Sequence, residues 1–254
     1  MKYKIIFSDI DGTIINDFQQ VTLKTRQILQ QLNQPVILVS ARMPSGIRVV
    51  QEQFDNHDPI ICYSGALILK ENEILYDQGI DALKARALYQ ILCQEPVSVS
   101  AYCYDRWYCH NDDDWIRQEE DITQLKAIVS DFSQEKKVHK FLCMGDPEQI
   151  QKLEAKLKQQ YPDLSIYRSK PTYLEIMNGQ VSKLKAIEAL LADYHLSLSD
   201  CVSFGDNYND LDMLEHTGMA FAMANAPQDI KDHIGSTTLS NNEDGVAYAI
   251  ENLL

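Results

Sequence analysis

Basic side chains are scarce in this chain, and so are long apolar runs. Lys and Arg number 23 against 37 Asp and Glu, a formal net charge of −14 over 254 residues. A nucleic-acid backbone or an anionic membrane needs a broad basic surface, so neither is expected as the main partner. Any anionic substrate would need local compensation of its charge. No apolar stretch approaches the ~20 residues that span a bilayer, and the first residues enter a strand without the basic and apolar regions of a signal peptide. The expected location is therefore cytoplasmic. No repeat, low-complexity stretch or long linker is present.

Paired cysteines are missing as well. Cys62, Cys93, Cys103, Cys109, Cys143 and Cys201 form no C-x-x-C motif and sit mostly among apolar neighbours. A disulfide framework is unexpected at this size and density, and the thiols read as small core residues. Cys103 and Cys109 with His110 lack the second pair that zinc-like spacing needs. None of His57, His110, His139, His195, His216 and His233 has a partner visible in sequence, so all are expected to be structural or on the surface.

A hydrophobic content of 45% over this length supports one large core or two moderate ones. The chain opens with an apolar run that ends in Ser8-Asp9-Ile10-Asp11-Gly12-Thr13, a buried strand closed by a glycine turn. Two carboxylates then lie at the carboxyl end of a strand, where open α/β sheets bind ligands. Taken alone, Asp-x-Asp-Gly is more often a capped turn.

Four later segments change that reading. Thr22 caps a helix expected to run to about Asn33, and the strand Val36–Val39 delivers Ser40-Ala41-Arg42. Pro44 opens a second helix, and Ile60–Tyr63 is a third strand, followed by a hairpin over 66–76. This βαβ order implies right-handed crossovers and a parallel sheet. From about Asp81 the pattern changes to an α+β region. It has an alternating strand over 97–102, many aromatics, an Asp112-Asp113-Asp114 run read as a loop or helix start, and a helix over 147–160. The doubly wound pattern then resumes with a helix capped by Ser182, the strand Cys201–Phe204, and the loop Gly205-Asp206-Asn207-Tyr208-Asn209-Asp210. The fold class is α/β: a doubly wound, Rossmann-like parallel-sheet core over 1–80 and 181–254, with an inserted α+β cap over 81–180.

Asp9 with Asp11, Ser40, Lys183, and Asp206 with Asn209 and Asp210 are thereby directed to one rim. Clustered carboxylates repel unless a hard cation such as Mg²⁺ joins them, and Mg²⁺ also accepts phosphate oxygens. A lysine and a serine hydroxyl suit the remaining oxygens of a transferring phosphoryl group. Asp9 can then act as a carboxylate nucleophile forming an aspartyl-phosphate, and Asp11 as the acid and base. Arg42 has two readings: contact with phosphate, or bracing of the loop through a carboxylate.

In this order the segments resemble a haloacid dehalogenase superfamily phosphatase of the Cof type. Asp9-Ile10-Asp11-Gly12-Thr13 matches the first motif and Ser40-Ala41-Arg42 the second. Val181-Ser182-Lys183 matches the third, and the loop from Gly205 to Asp210 the fourth. The resemblance implies Asp9 as nucleophile, Asp11 as acid/base, and Mg²⁺ held by Asp9, Asp206 and the Asp11 carbonyl. It also implies phosphate contacts from the Ile10 amide, Ser40, Ala41, Lys183 and Asn209, with Thr13, Arg42 and Asp210 supporting. Departures from the pattern are Ser64 where Asn is common, Ala224 where Gly is common, and Leu184 after the lysine.

The expected function is Mg²⁺-dependent hydrolysis of small phosphorylated metabolites, sugar phosphates first and phosphorylated cofactors such as pyridoxal phosphate second, by a monomer or homodimer. The alternatives are a sugar phosphomutase and a non-catalytic phosphometabolite-binding protein.

Overall fold

A computed structural model describes residues 2–254. The first apolar run forms β1 (Ile5–Ser8), every residue of which is buried. Thr22 accepts a hydrogen bond from the Thr25 amide and starts α1 (Leu23–Gln30). That helix ends three residues short of the expected Asn33, because the Gln31 and Leu32 amides turn back to Ile28 and Leu29 ahead of Pro35. There follow β2 (Val36–Val39), α2 (Pro44–Glu52), β3 (Ile60–Cys62), β4 (Leu67–Lys70) and β5 (Glu73–Asp77).

The inserted region contains β6 (Ile80–Asp81), α3 (Ala82–Leu92), β7 (Ser98–Cys103), β8 (Arg106–Cys109), α4 (Asp114–Thr123), β9 (Ile128–Val129) and β10 (Lys137–Val138). It continues with β11 (Lys140–Met144), α5 (Pro147–Gln160), β12 (Leu164–Lys170) and β13 (Tyr173–Asn178). The chain then forms α6 (Lys183–Tyr194), β14 (Cys201–Gly205), α7 (Leu211–His216), β15 (Met219–Ala222), α8 (Gln228–Ile234) and α9 (Gly245–Asn252). It divides into two compact units: residues up to Tyr76 together with Ser182–Leu254, and Asp77–Val181.

The first unit is built on a seven-stranded sheet of order β15-β14-β1-β2-β3-β4-β5, parallel from β15 to β3. Ile5, Phe7, Ile37 and Val39 pack with Ala186, Ile187, Leu190 and Leu191 of α6 and with Met213 and Leu214 of α7. Side chains that alternate with these along the strands, Ile6 and Leu38 among them, are buried too. Cover on both faces explains the unbroken apolar strands. Strand order reverses beside β1, whose neighbours are β2 on one side and β14 on the other. That reversal is the switch point, beside which such sheets bind ligands.

The second unit holds a sheet of order β12-β13-β11-β7-β8-β9 and a separate β6–β10 pair. Its core gathers Leu88 and Leu92 of α3, Val99 and Ala101 of β7, and Ile150 and Leu153 of α5. Alternation over 97–102 fits a strand with one face covered, but all six residues of β7 are buried. The second face is occupied as well: Ser100 accepts a hydrogen bond from Trp107 Nε1 at 2.9 Å, and Tyr102 stacks on Trp107. Asp113 caps α4, which accounts for the acidic run. Among the described residues the cysteines form no disulfide, five being buried and Cys93 half-buried. No helix there is long and apolar enough to cross a membrane.

Between β3 and β4, Tyr63, Ser64 and Gly65 all take positive φ, and a Cβ on Gly65 would lie 2.2 Å from the Ser182 carbonyl oxygen. Gly65→Ala should therefore destabilise the protein by about 1–3 kcal/mol from backbone strain alone, with the clash adding to it, as read from urea unfolding.

Candidate active site

The loop after β1 is shaped by its own backbone. The Ile10 carbonyl accepts hydrogen bonds from the amides of Thr13, Ile14 and Ile15, which curls the chain immediately beyond Asp9. Gly12 has φ 79°, and a Cβ there would lie 2.4 Å from Asp206 Oδ2, so a side chain would displace that carboxylate. Thr13 Oγ1 donates to Asp206 Oδ1 at 2.9 Å, and Asn225 Nδ2 donates to the Gly12 carbonyl at 2.8 Å. The Asp9 amide donates to the Phe204 carbonyl, tying the loop to the end of β14. Asp9 and Asp206 thus meet at the switch point.

Lys183 is the first residue of α6, placed by the Ser182 cap, and its side chain is fully buried. Its ammonium has three acceptors: Asp210 Oδ1 at 2.5 Å, Asp9 Oδ1 at 2.6 Å and the Val39 carbonyl at 3.2 Å. All three donors of the ammonium are therefore used. The second oxygen of Asp210 accepts from the amides of Asp206 and Asn207, both at 3.0 Å. Asp210 spends both oxygens on holding Lys183 and the loop. It is a positioning group.

Carboxylate atoms of Asp9, Asp206 and Asp210 all lie within 4.8 Å of one another. Burial pushes the Asp9 carboxyl well above the ordinary range, Lys183 opposes the rise, and Asp210 and Asp206 add to it. Burial and the Asp210 charge push Asp206 up to about 6. For Lys183 burial works against the ammonium, but Asp210 and Asp9 outweigh it and hold its pKa above the usual lysine value. The cluster therefore carries more negative charge than one lysine neutralises. Neither Asp9 Oδ2 nor Asp206 Oδ2 accepts a hydrogen bond among the described residues, so both are available to a hard cation.

The remaining predicted residues are placed less uniformly. The Asp11 side chain is absent from the carboxylate cluster: Arg42 forks it, with Nε 2.8 Å from Oδ2 and Nη2 2.5 Å from Oδ1. Arg42 thus braces a carboxylate, which is one of its two readings. Ser40 is buried at the end of β2, and its hydroxyl accepts from the Arg42 amide at 3.2 Å. Ala41 is half-buried beside it. Asn209 is exposed on the turn over 208–210, with no hydrogen bond to the cluster among the described residues. Sequence reading missed Val39, which acts through its carbonyl and carries no side-chain signal. It also missed the role of Asn225, whose position was marked only by the Ala224 departure.

A model of the haloacid dehalogenase-like hydrolases matches residues 6–250. The chain belongs to this family. A candidate phosphatase of Haemophilus influenzae is 34% identical over 258 residues, covering 99% of this chain and 98% of the relative. The crystal structure of TM0651 from Thermotoga maritima is 30% identical with a TM-score of 0.91, covering 98% of this chain and 97% of its own. A haloacid dehalogenase-like hydrolase from Bacteroides thetaiotaomicron is 26% identical with the same TM-score of 0.91 and full coverage, 100%, of both chains. The family match spans both segments of the first unit and the inserted unit between them.

Two outcomes follow for this hydrolase. Lys183→Met removes the only cation bonded to Asp9 and Asp210 among the described residues, and should destabilise the fold by about 3–5 kcal/mol in chemical denaturation. Asp206 has a folded pKa raised to about 6, so its contribution to stability is present at low pH and lost as pH rises through that value. Asp206→Asn should accordingly raise the melting temperature of metal-free protein more at pH 8 than at pH 5, measured by thermal denaturation in a chelator.

Proposed function

We propose that this hydrolase, a phosphatase of its family, cleaves phosphate monoesters of small metabolites by way of Asp9. The observation that carries the reading is the Asp9 carboxylate, bonded to a fully buried lysine at 2.6 Å and clustered with Asp206 at the sheet's switch point. The match of residues 6–250 to the haloacid dehalogenase-like hydrolases and the likeness to a candidate phosphatase support it.

The chemistry of the chain's own residues runs in two steps. An oxygen of Asp9 attacks phosphorus and forms an aspartyl-phosphate, while the bond from phosphorus to the leaving alcohol breaks. Asp11 gives its proton to that alcohol. Water then attacks phosphorus, Asp11 takes the water proton, and phosphate leaves with Asp9 restored. Lys183 holds Asp9 in its attacking orientation and offsets charge near the phosphoryl oxygens. Ser40 and the amides of Ile10 and Ala41 are the proposed donors to those oxygens, with Asn209 at their edge.

Magnesium fits the residues present. Two carboxyl groups with pushed-up pKa values and a second oxygen each would be relieved by a divalent cation, so Asp9 and Asp206 would hold it, with the Asp11 carbonyl. When bound, it supplies charge stabilisation for the transferring phosphoryl group. Thr13 and Asp210 keep the Asp206 loop in place for it.

The inserted unit, Asp77–Val181, is proposed as the cap that selects the substrate, with sugar phosphates first and phosphorylated cofactors second. Release of free phosphate from sugar monophosphates, measured with and without Mg²⁺, tests the class and separates hydrolysis from phosphoryl transfer within the substrate. Asp9→Asn should lower turnover of an aryl phosphate by ~10³-fold or more with an unchanged circular-dichroism spectrum. Full activity in that variant would overturn the mechanism.

A further inference from the structure

Between Thr13 and α1 the chain makes a tight turn whose role the motifs leave unassigned. The Asn16 amide donates to the Gln20 carbonyl at 3.0 Å, and Asn16 Oδ1 accepts from the amides of Phe18 and Gln20 at 3.0 and 3.1 Å. The turn is also anchored at a distance in sequence. Asp17 accepts from Asn241 Nδ2 and Asn242 Nδ2 at 3.2 and 2.9 Å, and its amide donates to Asn242 Oδ1 at 3.1 Å. Gln19 sits on this frame with φ 61°, a conformation that glycine or asparagine adopts at less cost.

The Gln19 side chain is used. Its Oε1 accepts from Arg42 Nη2 at 2.6 Å, the same nitrogen that donates to Asp11 Oδ1. Arg42 Nε completes the fork on Asp11 Oδ2, and Nη1 reaches the Gly46 carbonyl at 3.4 Å. The guanidinium is thus held from three directions. The Asp11 side chain is 52% exposed, and among the described residues both of its side-chain hydrogen bonds come from Arg42. An exposed carboxylate with one brace takes its direction from that brace, and a long arginine holds a direction only if it is itself restrained.

We infer that Gln19 is a positioning residue for Asp11, acting through Arg42, an inference that rests on the phosphatase reading of Asp11 as proton donor. The strained Gln19 backbone is kept because its amide oxygen fixes the guanidinium, and the guanidinium fixes where the Asp11 carboxyl stands until one of its oxygens is released to take up the proton it passes on. In the step that forms the aspartyl-phosphate, the loss of Gln19 is felt where the leaving group needs a proton. An alkyl alcohol needs one, and p-nitrophenolate leaves nearly unaided.

The test is steady-state kinetics with Mg²⁺ of the wild type, Gln19→Gly and Gln19→Glu. The substrates are p-nitrophenyl phosphate and an alkyl phosphate that the wild type turns over. Gln19→Gly should lower kcat/KM, which reports the steps up to release of the alcohol, by about tenfold on the alkyl phosphate and by less than about twofold on p-nitrophenyl phosphate. Glycine suits the backbone there, so the melting temperature should not fall. Gln19→Glu keeps an acceptor oxygen at the same reach and should restore the alkyl rate. Equal loss of kcat/KM on both substrates, or loss on neither, would overturn the inference while leaving the phosphatase reading intact. A wild type without phosphatase activity would overturn that reading and this inference with it.

Discussion

A single buried ammonium holds the architecture of the site together. Lys183 reaches Asp9 from β1, Asp210 from the loop after β14 and the carbonyl of Val39 from β2, so one cation joins the carboxyl ends of three adjacent strands. An unpaired ammonium in that position would be too costly to keep, and the two carboxylates would repel without it. Each charge makes the others tolerable. The excess negative charge that remains is what a divalent cation would neutralise.

The groups around this centre divide the work of placement. Asp210 gives both oxygens to Lys183 and to the amides of its own loop, Thr13 steers Asp206, and Gly12 leaves the space that Asp206 occupies. A packed scaffold of apolar strands lies beneath them, with α6 and α7 on one face. Because strands do not shift by fractions of a residue, positions set at their ends are held closely. Loops carry the chemistry, and rigid elements carry the loops.

Asp11 stands apart from the buried triad. It lies two residues from Asp9, yet the turn at Gly12 and the fork of Arg42 hold it in a more exposed setting. The contrast suits the roles proposed for the pair. A nucleophile benefits from a fixed, dry environment, and a group that exchanges protons with an alcohol and with water benefits from access.

Much was legible in the amino-acid order alone. Unbroken apolar runs at Ile5 and Val36 marked strands covered on both faces, the Ser182 and Thr22 caps marked helix starts, and the order of the motifs marked the meeting of Asp9, Lys183 and Asp206. Such features are local, because periodicity and capping act over a few residues. What tertiary structure decided were relations between distant segments. These include the Val39 carbonyl on Lys183, Asn225 on Gly12, the choice of Arg42 to brace Asp11, and the closure of the second face of β7. A backbone carbonyl has no residue type to betray it, and a side chain with two possible partners is committed only when folding brings one of them within 3 Å or so.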